Sequence, residues 1–210
     1  MKPLSAATIF VSIAAYRDPQ LPLTVASLFA QAEHPERVFV GVFNQIHLQE
    51  DQDCIAPDRP NLLQHVLDYN EAQGACWARG YVWNKLLGEQ DFALQIDSHS
   101  RFAPHWDTSV LQMHADIGDE QAVITHYPMG FDTETDALDP QMYTYFNVQS
   151  FRATQMPEVT SGAVDLQAAP KRCAQTAFVA AGSLFGRGAM FKQVPYDPFI
   201  YFHGEEITYA

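Results

Sequence analysis

The chain has 210 residues, with 12 Lys+Arg against 25 Asp+Glu and a formal net charge of −13 at pH 7. Hydrophobic residues make up 47%, aromatics 12% and charged residues 18%, so the chain can bury one sizeable core and does not have the makeup of a disordered segment. The acidic balance disfavours a nucleic-acid partner, because phosphate backbones are repelled at long range.

No run approaches the roughly 18 apolar residues of a membrane span, and none is expected. The apolar N-terminal stretch ends in Tyr16-Arg17-Asp18, not in the small residues of a signal-peptide cleavage site. Cys54, Cys76 and Cys173 are odd in number, far apart and without a CxxC pair, which reads as buried reduced thiols of a cytoplasmic protein.

In chain order, Thr8 to Ala14 is a short apolar run with β-branched residues and reads as a buried strand. Asp18-Pro19 is a helix start, and Leu21, Val25, Leu28, Phe29 and Ala32 fall on one helical face that ends before Pro35. Val38–Phe43 is a second buried strand ending at Asn44-Gln45, so the first 45 residues predict the strand–helix–strand unit of a parallel sheet. Residues 49–61 read as a loop and Val66–Tyr69 as a short strand. Trp77–Leu87 reads as a helix closed by Gly88, and Phe92–Ile96 as a third clear strand. Trp106–Ile117 predicts a helix and Ala122–Thr125 a strand stopped at Tyr127-Pro128. From Gly130 to about Lys171 the pattern dissolves into an expected long loop or insertion. Ala177–Phe185 is apolar again, Val194–Pro198 is a rigid turn, and Glu205-Glu206 opens a last helix.

The sharpest chemical constellation is Ile96-Asp97-Ser98-His99. A buried strand delivers Asp97 to its carboxyl end, where open parallel sheets bind ligands. In an extended segment residues i and i+2 share a face, so Asp97 and His99 can converge and offer a carboxylate oxygen and an imidazole nitrogen to a divalent cation. The alternative for so short a motif is Asp97 capping backbone and His99 packed in a loop. Tyr16-Arg17-Asp18 and Asn44-Gln45 end neighbouring strands, where a ring can stack a base and amides can bond its edge. A helix cap at Asp18 with an Arg17–Asp18 surface pair is equally good locally. Arg79, near a helix start, can clamp a phosphate or remain solvated. Glu205 and Glu206 can orient an acceptor hydroxyl or act as a base, or simply complement the helix dipole. The remaining histidines show no ligand spacing.

Taken together, Ile9–Pro19, Pro35–Gly41, Gly74–Arg79, Leu94–Phe102, Ala181–Phe185, Val194–Pro198 and Phe202–Ile207 resemble, in order along the chain, a known family. It comprises the GlcNAc-transferring glycosyltransferases that modify a hydroxyproline of a cytoplasmic ubiquitin-ligase adaptor, and their bacterial relatives. The resemblance implies an α/β fold of the GT-A-like, Rossmann-like kind, with a mostly parallel central sheet flanked by helices. It also implies UDP-GlcNAc as donor, retention at the anomeric carbon and a divalent cation, Mn2+ in preference to Mg2+. It maps the family's variant Asp-x-Asp motif onto Asp97 and His99 as metal ligands. Ala14, Tyr16, Arg17, Asp18, Asn44, Gln45, Arg79, Asp97 and Gly182 fall on nucleotide-sugar-binding positions, and Glu205 and Glu206 on the catalytic, acceptor-side position. Such enzymes continue past Gly-Glu-Glu, so the chain is expected to be a C-terminally truncated catalytic domain, with residues 1–128 as donor half and 129–210 as acceptor half.

The expected function is therefore metal-dependent transfer of GlcNAc, or a related sugar, from a UDP-sugar to a protein or glycan hydroxyl. One alternative is a catalytically dead domain of the same fold that binds a nucleotide-sugar or partner. A metal-dependent phosphate-ester hydrolase ranks last, because it would need more clustered acids than Asp97 and His99 supply.

Overall fold

The computed structural model describes residues 3–138, 142–153, 155, 157–165, 167, 173–201 and 204–210. Phe202 and His203 of the segment before Gly204, and Asp139, lie outside them. Six strands form the main sheet: β1 (Ile9–Tyr16), β2 (Val38–Ile46), β3 (Leu62–Asp68), β4 (Phe92–Asp97), β5 (Ile124–Thr125) and β8 (Ser183–Arg187). Their order is β3-β2-β1-β4-β8-β5. The first four run parallel, and β8 enters antiparallel between β4 and β5. The fold is thus mixed α/β with a mostly parallel central sheet.

Both faces of the sheet are covered, which is why its strands read as continuous apolar runs. From β1, Ile9, Val11, Ile13 and Ala15 point to one core shared with α1 (Leu21–Gln31) and α3 (Trp106–Ile117). Phe10 points to the other, where α2 (Ala75–Tyr81), α4 (Gly188–Gln193) and Tyr196 pack. Pro22 sits in the first turn of α1, where a missing N–H costs nothing. The helix expected from Trp77 begins two residues earlier, at Ala75. Gly74 stands before it at φ +104°, a conformation that L side chains rarely adopt, with Tyr201 packed where a Cβ would stand. Its last turn, Val82–Leu86, is a π turn closed by the Leu87 amide on the Val82 carbonyl.

Three expectations need correction. The segment from Gly130 is not a bare loop: β6 (Met142–Phe151) and β7 (Pro157–Asp165) pair as an antiparallel hairpin. Its Thr/Tyr/Phe/Val content is strand-forming, but a two-stranded ribbon wet on much of its surface lacks the clean apolar alternation that signals a strand. The strand expected at Val66 begins four residues earlier, at Leu62, because Gln64 and His65 interrupt the apolar run of this sheet-edge strand. Cys54 and Cys76 are buried as expected, but Cys173 is exposed. Among the described residues no helix is long and apolar enough to cross a membrane.

Candidate functional site

The chain leaves β1 toward β2 on one side and leaves β4 toward β5 on the other, so strand order reverses between β1 and β4. Ligands of open α/β sheets bind at this crevice, beyond the carboxyl ends of the strands. Ala14 lies in register with Asp97 across it. The loops that follow, one beginning at Arg17 and one at Ser98, are tied together by Asp18. Its Oδ2 accepts the Ser98 hydroxyl at 2.6 Å and His99 Nδ1 at 2.9 Å, and its Oδ1 accepts the Gln20 amide at 2.9 Å. Burial pushes the Asp18 carboxyl up, but these donors outweigh it and hold the group at about 2. The ionised carboxylate can only accept, so His99 Nδ1 carries the proton and Nε2 points elsewhere. The same bond to Asp18 raises the His99 pKa against the effect of burial. Beneath this pair, Thr24 donates to the Ser98 carbonyl at 2.6 Å and accepts the Ser100 amide at 2.9 Å, anchoring the loop to α1.

Asp97 faces the other way. The i, i+2 rule holds only while the chain is extended, and β4 ends at Asp97; His99 turns to Asp18 while Asp97 turns to Arg79. Arg79 Nη2 donates to Asp97 Oδ1 at 2.9 Å, and Nη1 donates to Glu205 Oε1. The thiol of Cys76 donates to Glu205 Oε2 at 3.0 Å. Arg79 and Cys76 are one helical turn apart on α2, and Glu205 opens α5 (Glu205–Thr208), so the bonds join elements far apart in the chain. Arg79 and Glu205 are 6% and 4% exposed, which makes this a buried ion chain running to a partly exposed Asp97. Burial works against the Arg79 charge, but Glu205 and Asp97 raise its pKa overall. Burial, with Glu205 second, pushes the Cys76 thiol up, so it stays a donor.

The second Asp97 oxygen, Oδ2, is walled by Gly182, where any Cβ would collide with it. That wall is tied down on several sides. Gln95 donates to the Ala181 carbonyl at 2.7 Å, and the Ala180 amide donates to Thr125 Oγ1 at 2.8 Å. The Ala181 amide donates to Glu206 Oε1 at 3.2 Å, and Tyr127 donates to Glu206 Oε2 at 3.1 Å. Glu205 is thus consumed by buried contacts, whereas Glu206 is half-buried.

At the β1 tip, Tyr16 is 55% exposed. Arg17 sits at φ +48°, an uncommon conformation for a side chain larger than glycine. It pairs with Asp51 at 2.6 Å, not with its neighbour Asp18, and lies over the Tyr69 ring at 4.7 Å. Asn44 and Gln45 do not stand free at the strand tip, because β2 runs past them to Ile46. They are 0% and 3% exposed and donate to the Cys54 and Ala15 carbonyls. Sequence reasoning missed Thr24, Ser98, Gln95, Cys76, Thr125 and Tyr127, whose roles come from contacts across the fold. Tyr127, directly after an expected strand, was the most findable. A groove of about 650 Å3 beside Gly88–Asp91 and α4 lies at the opposite sheet edge, away from Asp97.

A strand-tip carboxylate thus stands in the switch-point crevice where open α/β sheets bind ligands. The family model for glycosyltransferase (GlcNAc) matches residues 8–64 and 58–210. The chain belongs to this glycosyltransferase family. No curated protein sequence matches it. Among solved structures it is similar to Staphylococcus aureus TarS 1-349, at 13% identity and a TM-score of 0.51, over 91% of this chain and 50% of that one. The structure of TarS 1-349 in complex with UDP matches with a TM-score of 0.54 over 95% and 53%, and that in complex with UDP-GlcNAc with 0.52 over 89% and 47%, both at 13% identity. This chain spans about half the length of those TarS chains. At such identity the likeness is one of fold.

Proposed function

We propose that the chain carries the donor-binding and catalytic centre of a UDP-GlcNAc-dependent glycosyltransferase of GT-A type, acting on a hydroxyl of a protein or glycan with retention. The observation that carries this reading is Asp97 at the carboxyl end of β4, pinned through one oxygen by Arg79 in a chain matched along its length by a GlcNAc-transferase family model. The hydroxyproline acceptor implied by the resemblance remains part of this proposal, as does a cytoplasmic setting.

Among the described residues no three His, Cys, Asp or Glu side chains gather as a metal cage. Asp97 and His99 turn to different partners, Arg79 and Asp18, so they do not converge as a pair; each keeps one atom clear of those partners, Asp97 Oδ2 and His99 Nε2, with which to meet a cation held largely by phosphate oxygens and water. Asp18 fixes the His99 tautomer with Nε2 available, the usual arrangement behind a ligating histidine. A divalent cation, Mn2+ in preference to Mg2+, would be held by Asp97 and His99 and, when bound, would neutralise the UDP leaving group. Arg79 keeps the Asp97 carboxylate turned into the crevice. Ala14 and Gly182 keep its floor and wall free of bulk. Tyr16 offers a ring for the uracil, with Arg17 beside it. Asn44 and Gln45 serve the nucleotide loop through the backbone they hold.

The different partners of the two acids support giving them different roles. Glu205 is a positioning residue that neutralises buried Arg79, and Glu206 is the acid on the acceptor side, orienting the incoming hydroxyl. On the retaining path the acceptor oxygen enters on the face the leaving group vacates, and the departing phosphate takes its proton. Residues 1–128 form the donor half and 129–210 the acceptor half of one sheet-sharing unit.

The test is titration of UDP into the chain with and without Mn2+, together with UDP release from UDP-GlcNAc. Metal-dependent UDP binding is expected, weakened at least about tenfold by Asp97→Asn. Metal-independent binding, or an Asp97→Asn protein that binds as the wild type does, would overturn the reading. Binding without UDP release would favour a non-catalytic domain.

A further inference from the structure

The β6–β7 hairpin and the Glu206 carboxylate meet at one residue, Tyr127. β5 and β4 both run antiparallel to β8, so β5 ends at the same sheet edge as Asp97, and Tyr127 follows β5 by two residues. From the hairpin, the Thr144 hydroxyl donates to the Tyr127 carbonyl, and the Phe146 ring packs 5.1 Å from the Tyr127 ring. Thr144 and Phe146 are i and i+2 on β6, so one face of the strand seats on this tyrosine. On its other side the Tyr127 hydroxyl donates to Glu206 Oε2 at 3.1 Å, while Glu206 Oε1 holds the Ala181 amide beside the Gly182 wall of Asp97. A continuous path runs from an exposed ribbon to the acid and the wall of the site. Nothing in the donor reading requires that path.

We propose that Tyr127 is a positioning residue that couples the docking of the β6–β7 hairpin to the placing of Glu206, so that the seated hairpin sets the acid for transfer. The role of Glu206 in transfer rests on the function proposed above; the coupling itself does not. A two-stranded ribbon is marginal alone and needs a seat, and Tyr127 supplies one whose far end touches the acid. The tyrosine is a hydrogen-bond donor throughout the neutral range, since burial and then Glu206 push its hydroxyl up to about 12. Four groups govern the Glu206 charge: the Tyr127 hydroxyl and the Ala181 amide stabilise it, Arg79 adds to them, and neighbouring Glu205 opposes them. Removing the hydroxyl leaves burial and Glu205 with less to offset them.

Two readouts decide the matter. Hydrogen exchange at the Ala181 amide is expected to accelerate about tenfold in Tyr127→Phe, the effect of losing one bond to a charged group. It is expected to accelerate also in Phe146→Ala and Thr144→Val, which change only the hairpin side. In UDP release from UDP-GlcNAc, Tyr127→Phe is expected to move the acid limb of the pH profile to higher pH, with UDP affinity within about twofold of the wild type. Unchanged Ala181 exchange in both hairpin variants, or a Tyr127→Phe profile superimposable on the wild type, overturns the proposal. A wild-type chain that releases no UDP overturns the transfer reading instead, and the exchange result then decides the coupling alone.

Discussion

The two seams that flank Asp97 are built from the same kinds of group to opposite ends. Toward β1, Asp18, Ser98 and His99 form a hydrogen-bonded hub in which the imidazole is 61% exposed. Toward α5, Arg79 and Glu205 form a pair with side chains 7% and 5% exposed. Charges left near water can exchange partners when a ligand arrives at little cost. Charges taken out of water must keep theirs, because an unpaired buried ion costs several kcal/mol. The first seam is therefore suited to meet substrate and the second to hold the framework that aims Asp97.

Breaking the buried seam should have the largest effect. Glu205→Ala leaves the buried Arg79 guanidinium with Asp97 alone and the Cys76 thiol without an acceptor, and a loss of about 3–5 kcal/mol of stability is expected in urea unfolding. A loss below about 1 kcal/mol would mean that water reaches the pair and that the contrast between the seams is overstated. Next comes the support under the exposed seam. Thr24→Val keeps the shape of the side chain but leaves the Ser98 carbonyl and Ser100 amide without their shared hydroxyl, for an expected cost of about 1–3 kcal/mol. Metal-dependent UDP binding should weaken along with it, and unchanged binding would separate the His99 loop from the donor site.

The smallest effect sharpens the line between the two glutamates. Burial raises the Glu206 pKa above that of the unfolded chain. A carboxyl raised on folding adds stability below its unfolded pKa of about 4.5 and loses it as pH rises through the folded value. Glu206→Gln can still accept from Ala181 without carrying a charge. Its melting temperature relative to the wild type is expected to rise from pH 4 to pH 7; a flat difference would show the Glu206 charge to be fully compensated.

Legibility followed locality. The buried strands β1, β2 and β4 and the helix α3 were readable because each shows its period within a dozen residues. Asp97 was readable because a polar residue closing an apolar run stands out. The hairpin was not, because its stability comes from cross-strand pairs and its seat on Tyr127, neither of which a short window contains. Asn44 and Gln45 were misjudged as free strand-tip amides because a polar pair after an apolar run looks like an end, whereas here both amides satisfy backbone carbonyls inside the strand. The division of labour between Glu205 and Glu206 could not be read either, since adjacent identical residues differ only in what they face.

By itself, then, the amino-acid order determined where the buried strands β1, β2 and β4 and the helices α1 and α3 lie, that the early strands run parallel, and that a carboxylate ends the fourth. Tertiary structure alone decided which partner each charge keeps. Periodicity is a property of neighbours along the chain, while the pairing of Arg79 with Glu205, 126 residues apart, depends on two helices being brought together by cores that neither segment encodes.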